Sequence, residues 1–574
     1  GSVDKKNLTT KTFQTPWSLY KWDGTTLGSD GLPVLEGAIR SNFTDPRLRQ
    51  RYESVLNTNA SAMLSYDKTF ASVHNFGALA GVTRETFEGE NFSAYRRNYI
   101  SGAVDQIFAG GTAGQETGGS AYERARLGYY GRLQYNYKEK YLAEFIGRYD
   151  GSYIFPESGR FGFFPGILLG YNISEEDFFN VNAVDFLKLR GSFGQMGNDQ
   201  VFYNGALQEY AFLSSYGFGE YPINSNVVNT LRETVLANPM FTWERANNLN
   251  IGLDAGLLNN RIDLTLEYFL NKRDQILIQK TGSTPSSSGI SSLLPPVNAG
   301  KVENKGFEFS VGYNGNASND LRFRAGLNGG FAKNKIIFMD EVPGAPDYQR
   351  QEGNPIGAPL LYQSDGAFLN AAEIDANQLD YSAVTGQLLP GDMKFVDFNG
   401  DGKIDGDDAV RSQKNGTPTF NFGATFDLTW KNFDLAILLQ GATGAQIRVQ
   451  TESGDIGNFL QYDYNNRWSI DNPSSVNPRL ASRGDTYYTG GNYGGNTYYM
   501  FNKDYIRLKN VELGYNLPNA VLDKVGISNF RLYLNGLNLA TIAAQDVFDP
   551  EFNSGSGQYY PQSRVVNMGL SLSF

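Results

Sequence analysis

The chain has 574 residues, with 65 Gly, 35 Tyr and 39 Phe, no cysteine, a single histidine and a formal net charge of −11. The absence of cysteine removes disulfides, thiolate metal sites and cysteine nucleophiles. The acidic balance argues against a nucleic-acid partner, which needs a basic face. No apolar run is long enough for a transmembrane helix, but a β-barrel does not need one, because only alternate residues of its strands face lipid.

The first residues, Gly1, Ser2, Val3 and Asp4, carry no initiator Met, basic n-region or apolar stretch, so a processed, cut or partial start is expected. Residues 1–57 read as an extracellular loop segment leading into the first clear strand, at 59–66. From there the chain alternates apolar and polar residues, the signature of strands with two unlike faces. Tyr129, Leu133, Tyr135 and Tyr137 alternate with Arg132, Gln134, Asn136 and Lys138. Ile262, Leu264, Leu266 and Tyr268 alternate with Asp263, Thr265 and Glu267, and Phe307, Phe309, Val311 and Tyr313 with Glu308, Ser310 and Asn314. At the end, Val566, Met568, Leu570, Leu572 and Phe574 alternate with Asn567, Gly569, Ser571 and Ser573. Leu570, Leu572 and Phe574 should face lipid, and Ser571 and Ser573 the lumen.

The connections are of two kinds. Short turns are expected near 67–68, 138–140, 175–184, 259–260, 315–319, 431–432 and 518–528. Long segments are expected near 85–121, 154–160, 197–240, 280–301, 338–417, 452–502 and 542–561. Short and long alternate along the chain, as periplasmic turns and extracellular loops do in outer-membrane barrels. The fold class expected is all-β, a transmembrane antiparallel barrel, with residues 58–574 supplying about fifteen strands. A closed bacterial barrel has an even number, so an odd count implies further strands upstream.

Several segments then resemble the SusC/RagA-type TonB-dependent transporters of bacterial outer membranes. Arg148-Tyr149-Asp150-Gly151-Ser152 with Arg160-Phe161-Gly162-Phe163-Phe164-Pro165 is similar to their RYDGSS and RFG-FFP pair. Leu187-Lys188-Leu189-Arg190-Gly191-Ser192-Phe193-Gly194 with Gly197-Asn198, and Asn238-Pro239 with Thr242-Trp243-Glu244 and Asn250-Ile251-Gly252-Leu253-Asp254, resemble two of their strands. Val302-Glu303-Asn304-Lys305-Gly306-Phe307-Glu308, Pro390-Gly391-Asp392, Asn432-Phe433-Asp434-Leu435, Tyr505-Ile506-Arg507-Leu508-Lys509-Asn510-Val511, Tyr560-Pro561-Gln562-Ser563-Arg564 and the terminal Phe574 complete the set in family order. The resemblance implies a barrel of about 22 strands with an N-terminal plug. It also implies import of an oligomeric nutrient (glycan or peptide), a SusD-like surface lipoprotein at the mouth, and TonB acting through a plug absent from this chain. The alternative is a scaffold or accessory barrel without transport.

Residues 397–408 fit an EF-hand-type calcium loop. Asp397, Asn399 and Asp401 stand at positions one, three and five, Gly402 at the sharp turn, Lys403 at the carbonyl position and Ile404 at the apolar eighth. Asp405 is at nine and Asp408 at twelve, where Glu is usual. Oxygen ligands at this spacing wrap one Ca²⁺; a polar turn made by Asx hydrogen bonds has the same composition. Two aromatic clusters, with Tyr210, Tyr216 and Tyr221 in one and Tyr487, Tyr488 and Tyr493 in the other, are candidates for substrate or partner contact.

No enzyme is expected. His74 lies in an alternating strand, no G-x-S-x-G or P-loop occurs, and Gly217-Phe218-Gly219 lacks the third glycine of a dinucleotide site. Carboxylate pairs are plentiful, and counting alone does not separate a glycosidase dyad from a solvated face.

Overall fold

The computed structural model describes residues 1–574 apart from 40, 204, 224–225, 319, 451–458, 482–484, 486–494, 523–525 and 558. Sixteen strands join, in chain order, in one large antiparallel sheet. They are β1 Ser2–Gln14, β2 Arg47–Phe70, β3 His74–Arg97, β4 Gly111–Tyr137, β5 Tyr141–Ser152, β6 Phe161–Asn172, β7 Val184–Asn198 and β8 Glu244–Leu257. Then follow β9 Ile262–Gln279, β10 Pro296–Ser318, β11 Leu321–Phe338, β12 Phe420–Trp430, β13 Phe433–Thr443, β14 Tyr505–Asn516, β15 Asn529–Ala543 and β16 Val565–Ser573. The chain divides into two compact units. Gly1–Asp67, Gly77–Leu133 and Ile146–Phe163 form the first, and Lys68–Phe76, Gln134–Phe145 and Phe164–Phe574 the second.

In the first unit, β1 pairs with β2 from Ser2↔Asn59 to Gln14↔Arg47. A separate hairpin joins Ser18–Leu27 to Pro33–Ile39. Residues 1–57, expected as loop, thus carry strands, and β2 begins at Arg47 rather than near Asn59. Among the described residues the large sheet has sixteen strands, against the expected fifteen or so. The segment expected as a long loop at 85–121 is also mostly strand, since β3 runs to Arg97 and β4 starts at Gly111. The cause is the same in both places. In β1 the stretch Lys5-Lys6-Asn7-Leu8-Thr9-Thr10-Lys11 is polar on both faces, so the apolar period that marks a strand is missing although the backbone ladder forms. β4 has 27 residues, far more than the ~9–11 a tilted strand needs to cross a bilayer, so much of it has no lipid to face.

In the second unit the alternation is realised as cross-strand rows. On the apolar face of β9, β10 and β11 the rows are Ile262–Tyr313–Ala325, Leu264–Val311–Leu327, Leu266–Phe309–Gly329 and Tyr268–Phe307–Phe331. The opposite face carries Thr265–Ser310–Asn328, Glu267–Glu308–Gly330 and Asn271–Asn304–Asn334. Slipping one strand by a single residue would exchange the two sets, so the unlike faces pin the register. The tight turns follow hairpin chemistry. Lys138 and Glu139 both take positive φ (50° and 58°), and the Lys140 N–H donates to the Tyr137 carbonyl at 2.9 Å. That is the twist a two-residue loop must have to match its strands. His74 opens β3 beside this turn. Its Nδ1 lies 2.8 Å from the Tyr135 hydroxyl and its ring 4.8 Å from that of Tyr137, so it belongs to an aromatic belt that continues through Tyr141 and Tyr171.

The last strand takes the expected register. Leu570 and Leu572 oppose Leu532 and Phe530, while Ser571 opposes Arg531. Leu570 is 62% exposed and Phe574 89% exposed, as befits side chains that face solvent lipid. In the full-length protein Leu570→Lys should destabilise the inserted barrel by ~2–4 kcal/mol, the cost of a cation at midplane depth. Ser571→Lys, on the polar face, should cost little. Denaturant unfolding in lipid vesicles measures both, and equal losses would mean that the faces are reversed.

Candidate functional site

The connection between β11 and β12 is a folded body. Within it Ser364–Ala367 pairs with Met393–Phe395 and Leu360–Leu361 with Val410–Arg411. A short helix, Ala371–Asp375, is capped by Asn370, whose side chain accepts the Glu373 N–H at 3.0 Å. Phe368, Tyr381, Val384, Met393, Phe395 and Ile404 form a core, joined by Tyr499 from the connection between β13 and β14. Fully burying each of the larger side chains is worth roughly 1.5–3 kcal/mol.

The two connections interlock through the backbone as well. Ala367 N–H donates to the Ser475 carbonyl at 2.8 Å, Arg479 N–H to the Gly391 carbonyl at 2.8 Å, and Trp468 Nε1 to the Leu369 carbonyl at 2.9 Å. Gly391 has φ +88°, and a Cβ there would come within 2.8 Å of the Trp468 ring and the Arg479 side chain. The turn needs glycine on both counts. Next to it Asp392, its side chain 0% exposed, accepts Arg479 Nε at 2.6 Å and the Leu389 N–H at 2.7 Å. Arg479 also bonds Asp485 at 2.9 Å. Burial pushes the Asp392 carboxyl up to about 6, against the pull of Arg479.

The calcium-type segment closes on itself. The Asp397 carboxylate accepts the N–H groups of Gly400, Asp401 and Gly402 at 2.8, 3.2 and 2.9 Å, and Gly402 has φ +83°. Asn399 accepts Asp401 N–H, Asp401 accepts Lys403 N–H and Asp405 accepts Asp407 N–H, each at 2.9 Å. Asp408, fully buried, bonds Phe398 N–H at 2.8 Å and Asp405 N–H at 2.9 Å, tying the last residue of the loop to its start. Ile404, the apolar eighth residue, fills the core at 0% exposure. The oxygen-only donor set suits a hard cation. Among the described residues, however, no three acidic groups converge as ligands; the side chains are directed at backbone N–H groups.

The aromatic candidates do not form one platform. Tyr216 and Tyr221 lie on the hairpin Ser215–Ile223/Asn226–Val235, an odd number of residues apart, so they point to opposite faces. Tyr210 sits in a turn with φ +57° and packs against Phe212 at 6.1 Å. Tyr487, Tyr488 and Tyr493 lie outside the described residues.

A group not singled out from sequence lies under the folded connection. A cavity of about 680 Å³ is lined by Asn271, Asn304, Asn334, Gln351, Gln413 and Asn415 together with apolar residues such as Ile276, Val302, Ile336 and Phe338. The first three form one cross-strand row on the polar face, and Asn334 and Asn415 hold Ile356 through its N–H and carbonyl at 2.7 and 2.6 Å. The recurrence of Asn at matched positions of neighbouring strands was a readable signal only once the register was known.

Comparison with known proteins explains the arrangement. The model of the family "TonB dependent receptor-like, beta-barrel" matches residues 4–539. The chain belongs to this family. TonB-dependent receptor P3 of Formosa agariphila is 29% identical over 91% of the chain and 53% of its own length. TonB-dependent receptor P26 of the same organism is 31% identical over 78% of the chain and 46% of its own. TonB-dependent receptor SusC of Bacteroides thetaiotaomicron is 27% identical over 78% and 44%. The chain therefore spans about half the length of these relatives. A solved structure of the RagAB peptide transporter superposes on all of the chain with a TM-score of 0.74, at 21% identity and over 59% of that chain. The SusC/RagA resemblance is borne out, the protein is an outer-membrane β-barrel, and its relatives are receptors and transporters rather than enzymes.

In such a barrel the apolar face meets lipid and the polar face lines the lumen. The lumen side of this chain carries arginines held between acids. Arg190 bonds Asp254 at 3.0 Å and Glu267 at 2.6 Å, and Arg531 bonds Asp434 and, at 2.7 Å, Glu512. Each arginine is thus compensated on the wall itself, and each group carries one acid more than it has cations.

Replacing Arg479 with Ala would leave Asp392 buried without its cation. At neutral pH this should destabilise the paired connections by about 3–5 kcal/mol. The folded pKa of Asp392 lies above that of the unfolded chain. Its protonated form therefore favours the fold, and stability falls as pH rises through about 6. The Arg479→Ala defect should accordingly shrink below pH 6, where Asp392 takes up a proton. Amide exchange around residues 389–393, followed from pH 5 to 8 in the full-length protein, reads this; a defect independent of pH would refute it.

Proposed function

We propose that the whole protein imports an oligomeric nutrient, a glycan or a peptide, across the outer membrane. In this reading a SusD-like lipoprotein covers the extracellular mouth and TonB acts through a plug. The observation that carries the reading is the cavity beneath the folded connection, whose largely apolar lining includes the Asn271–Asn304–Asn334 row of the polar face. Paired amide donors and acceptors suit the hydroxyls of a sugar chain or the backbone of a peptide, and a ladder across three strands suits an extended ligand. The family's RagAB neighbour is described as a peptide transporter, which supports the peptide alternative without choosing it. Asn304→Phe fills the cavity from the middle of the Asn271–Asn304–Asn334 row and should weaken ligand binding ~10-fold, or ~1.4 kcal/mol. Labelled oligosaccharide and labelled peptide mixtures, supplied separately to cells bearing the full-length protein or its Asn304→Phe form, test this. Uptake of neither by the unaltered protein would favour a scaffold role.

We further propose that the segment 397–408 holds one Ca²⁺ through Asp397, Asn399, Asp401, the Lys403 carbonyl, Asp405 and Asp408. The five acids Asp397, Asp401, Asp405, Asp407 and Asp408 repel one another, and a cation relieves what Lys403 alone does not. The ion would fix the segment where the lipoprotein docks. Calcium should slow amide exchange over the segment, and Asp401→Ala should abolish that effect while leaving the barrel intact. Identical exchange in calcium and in chelator would leave the fold of this segment to its own hydrogen bonds.

A further inference from the structure

Above the aromatic row Tyr268–Phe307–Phe331, the lipid-facing side of β9, β10 and β11 changes character abruptly. The next row is Leu270–Lys305–Lys333 and the one after it Lys272–Glu303–Lys335. All four lysines are exposed, Lys272 and Lys305 at 60% and 59%. Glu303 is the one acid in these two rows. It is shared between Lys305 at 3.3 Å and Lys272 at 3.9 Å, while Lys333 and Lys335 have no acidic partner among the described residues.

Depth places this patch. From Ile262 to Leu270 the strand rises ~27 Å at about 3.4 Å per residue. At the usual tilt that is ~20 Å of height, close to the ~25 Å apolar band of an outer-membrane barrel. Ile262 lies at the short-turn end, which is periplasmic, so the lysines stand at the extracellular edge of the band. They point away from the lumen, out of the path of any transported solute.

We propose that this patch binds the phosphates of a phosphorylated glycolipid of the outer leaflet, a lipid A-type headgroup, with its acyl chains lying along Tyr268, Phe307 and Phe331. Three features commit it to that occupant. Four cations against one acid give a net positive surface on a protein whose overall charge is −11. Lysine ammoniums on flexible stems suit phosphate as point charges. The stacked rings of Phe307 and Phe331, 5.7 Å apart, lie one row below, where the acyl chains of such a lipid begin. Basic residues bordering the hydrocarbon are the general means of holding anionic headgroups. The inference rests on the membrane-facing side alone and is independent of what the lumen transports.

The test uses the full-length protein purified from outer membranes, stripped of lipid, and reloaded with bisphosphorylated lipid A or with the same lipid freed of phosphate. Native mass spectrometry should show retained bisphosphorylated lipid A and at least ten-fold less of the phosphate-free form. The Lys305→Glu/Lys333→Glu/Lys335→Glu variant should lose that preference, and the triple Lys→Arg variant should keep it. Reversing charge at the periplasmic edge, with Lys68→Glu and Lys138→Glu, should leave it unchanged. Equal retention of the two lipids by the unaltered protein would overturn the proposal even if the triple Glu variant failed to fold. So would an unchanged preference in a folded Glu variant.

Discussion

The hydrocarbon interior of a membrane offers no partner to a backbone N–H or carbonyl, and that constraint organises this chain. Each unsatisfied group costs several kcal/mol there, so a spanning segment must be a helix or a strand paired on both sides. Among the described residues no helix is long and apolar enough to cross, and the crossing is done by strands whose ladders run without a break from β6 to β16. Once the ladder is obligatory, side chains must alternate between two environments. Everything functional then follows from which environment each residue enters.

The lumen face shows what alternation makes possible. Arg190 and Arg531 occupy positions between apolar neighbours in sequence, yet each lies in a compact group of carboxylates contributed by adjacent strands. A half-buried charge on a wall needs its counter-charges within hydrogen-bond reach, and antiparallel pairing supplies them from residues 64 and 77 positions away for Arg190. The same register that gathers Asn271, Asn304 and Asn334 on the inside gathers Lys305 and Lys333 on the outside. Three consecutive strands, β9 to β11, thus write a solute-facing surface and a lipid-facing surface from interleaved residues.

Outside the bilayer the rules change, because water can satisfy the backbone and burial must be arranged locally. The connection between β11 and β12 does this with its own core and with the chain between β13 and β14, joined by Asp392 and Arg479 across 87 residues of sequence. The acidic segment 397–408 sits on that core through Ile404 and is closed by Asp408, whose buried carboxylate gains from backbone N–H groups what it loses by leaving water.

The sequence by itself determined the class of fold, the two faces of the membrane strands, the alternation of short and long connections, and the family. All of these rest on local chemistry: period-2 patterning, turn residues and contiguous motifs. It misread β1 and the outer parts of β3 and β4, because strands polar on both faces lose the period while keeping the ladder. It found the acidic segment by spacing and left a cation loop and an Asx-bonded turn both open; the fold directs Asp397, Asn399, Asp401, Asp405 and Asp408 at backbone N–H groups. It singled out Asp392 as part of a motif without its partner, and it grouped Tyr216 with Tyr221 although a strand sends them to opposite sides. Only the tertiary structure decided which residues of different strands share a row and which loops close on each other. Those choices depend on register and on contacts between distant segments, and no local pattern encodes either.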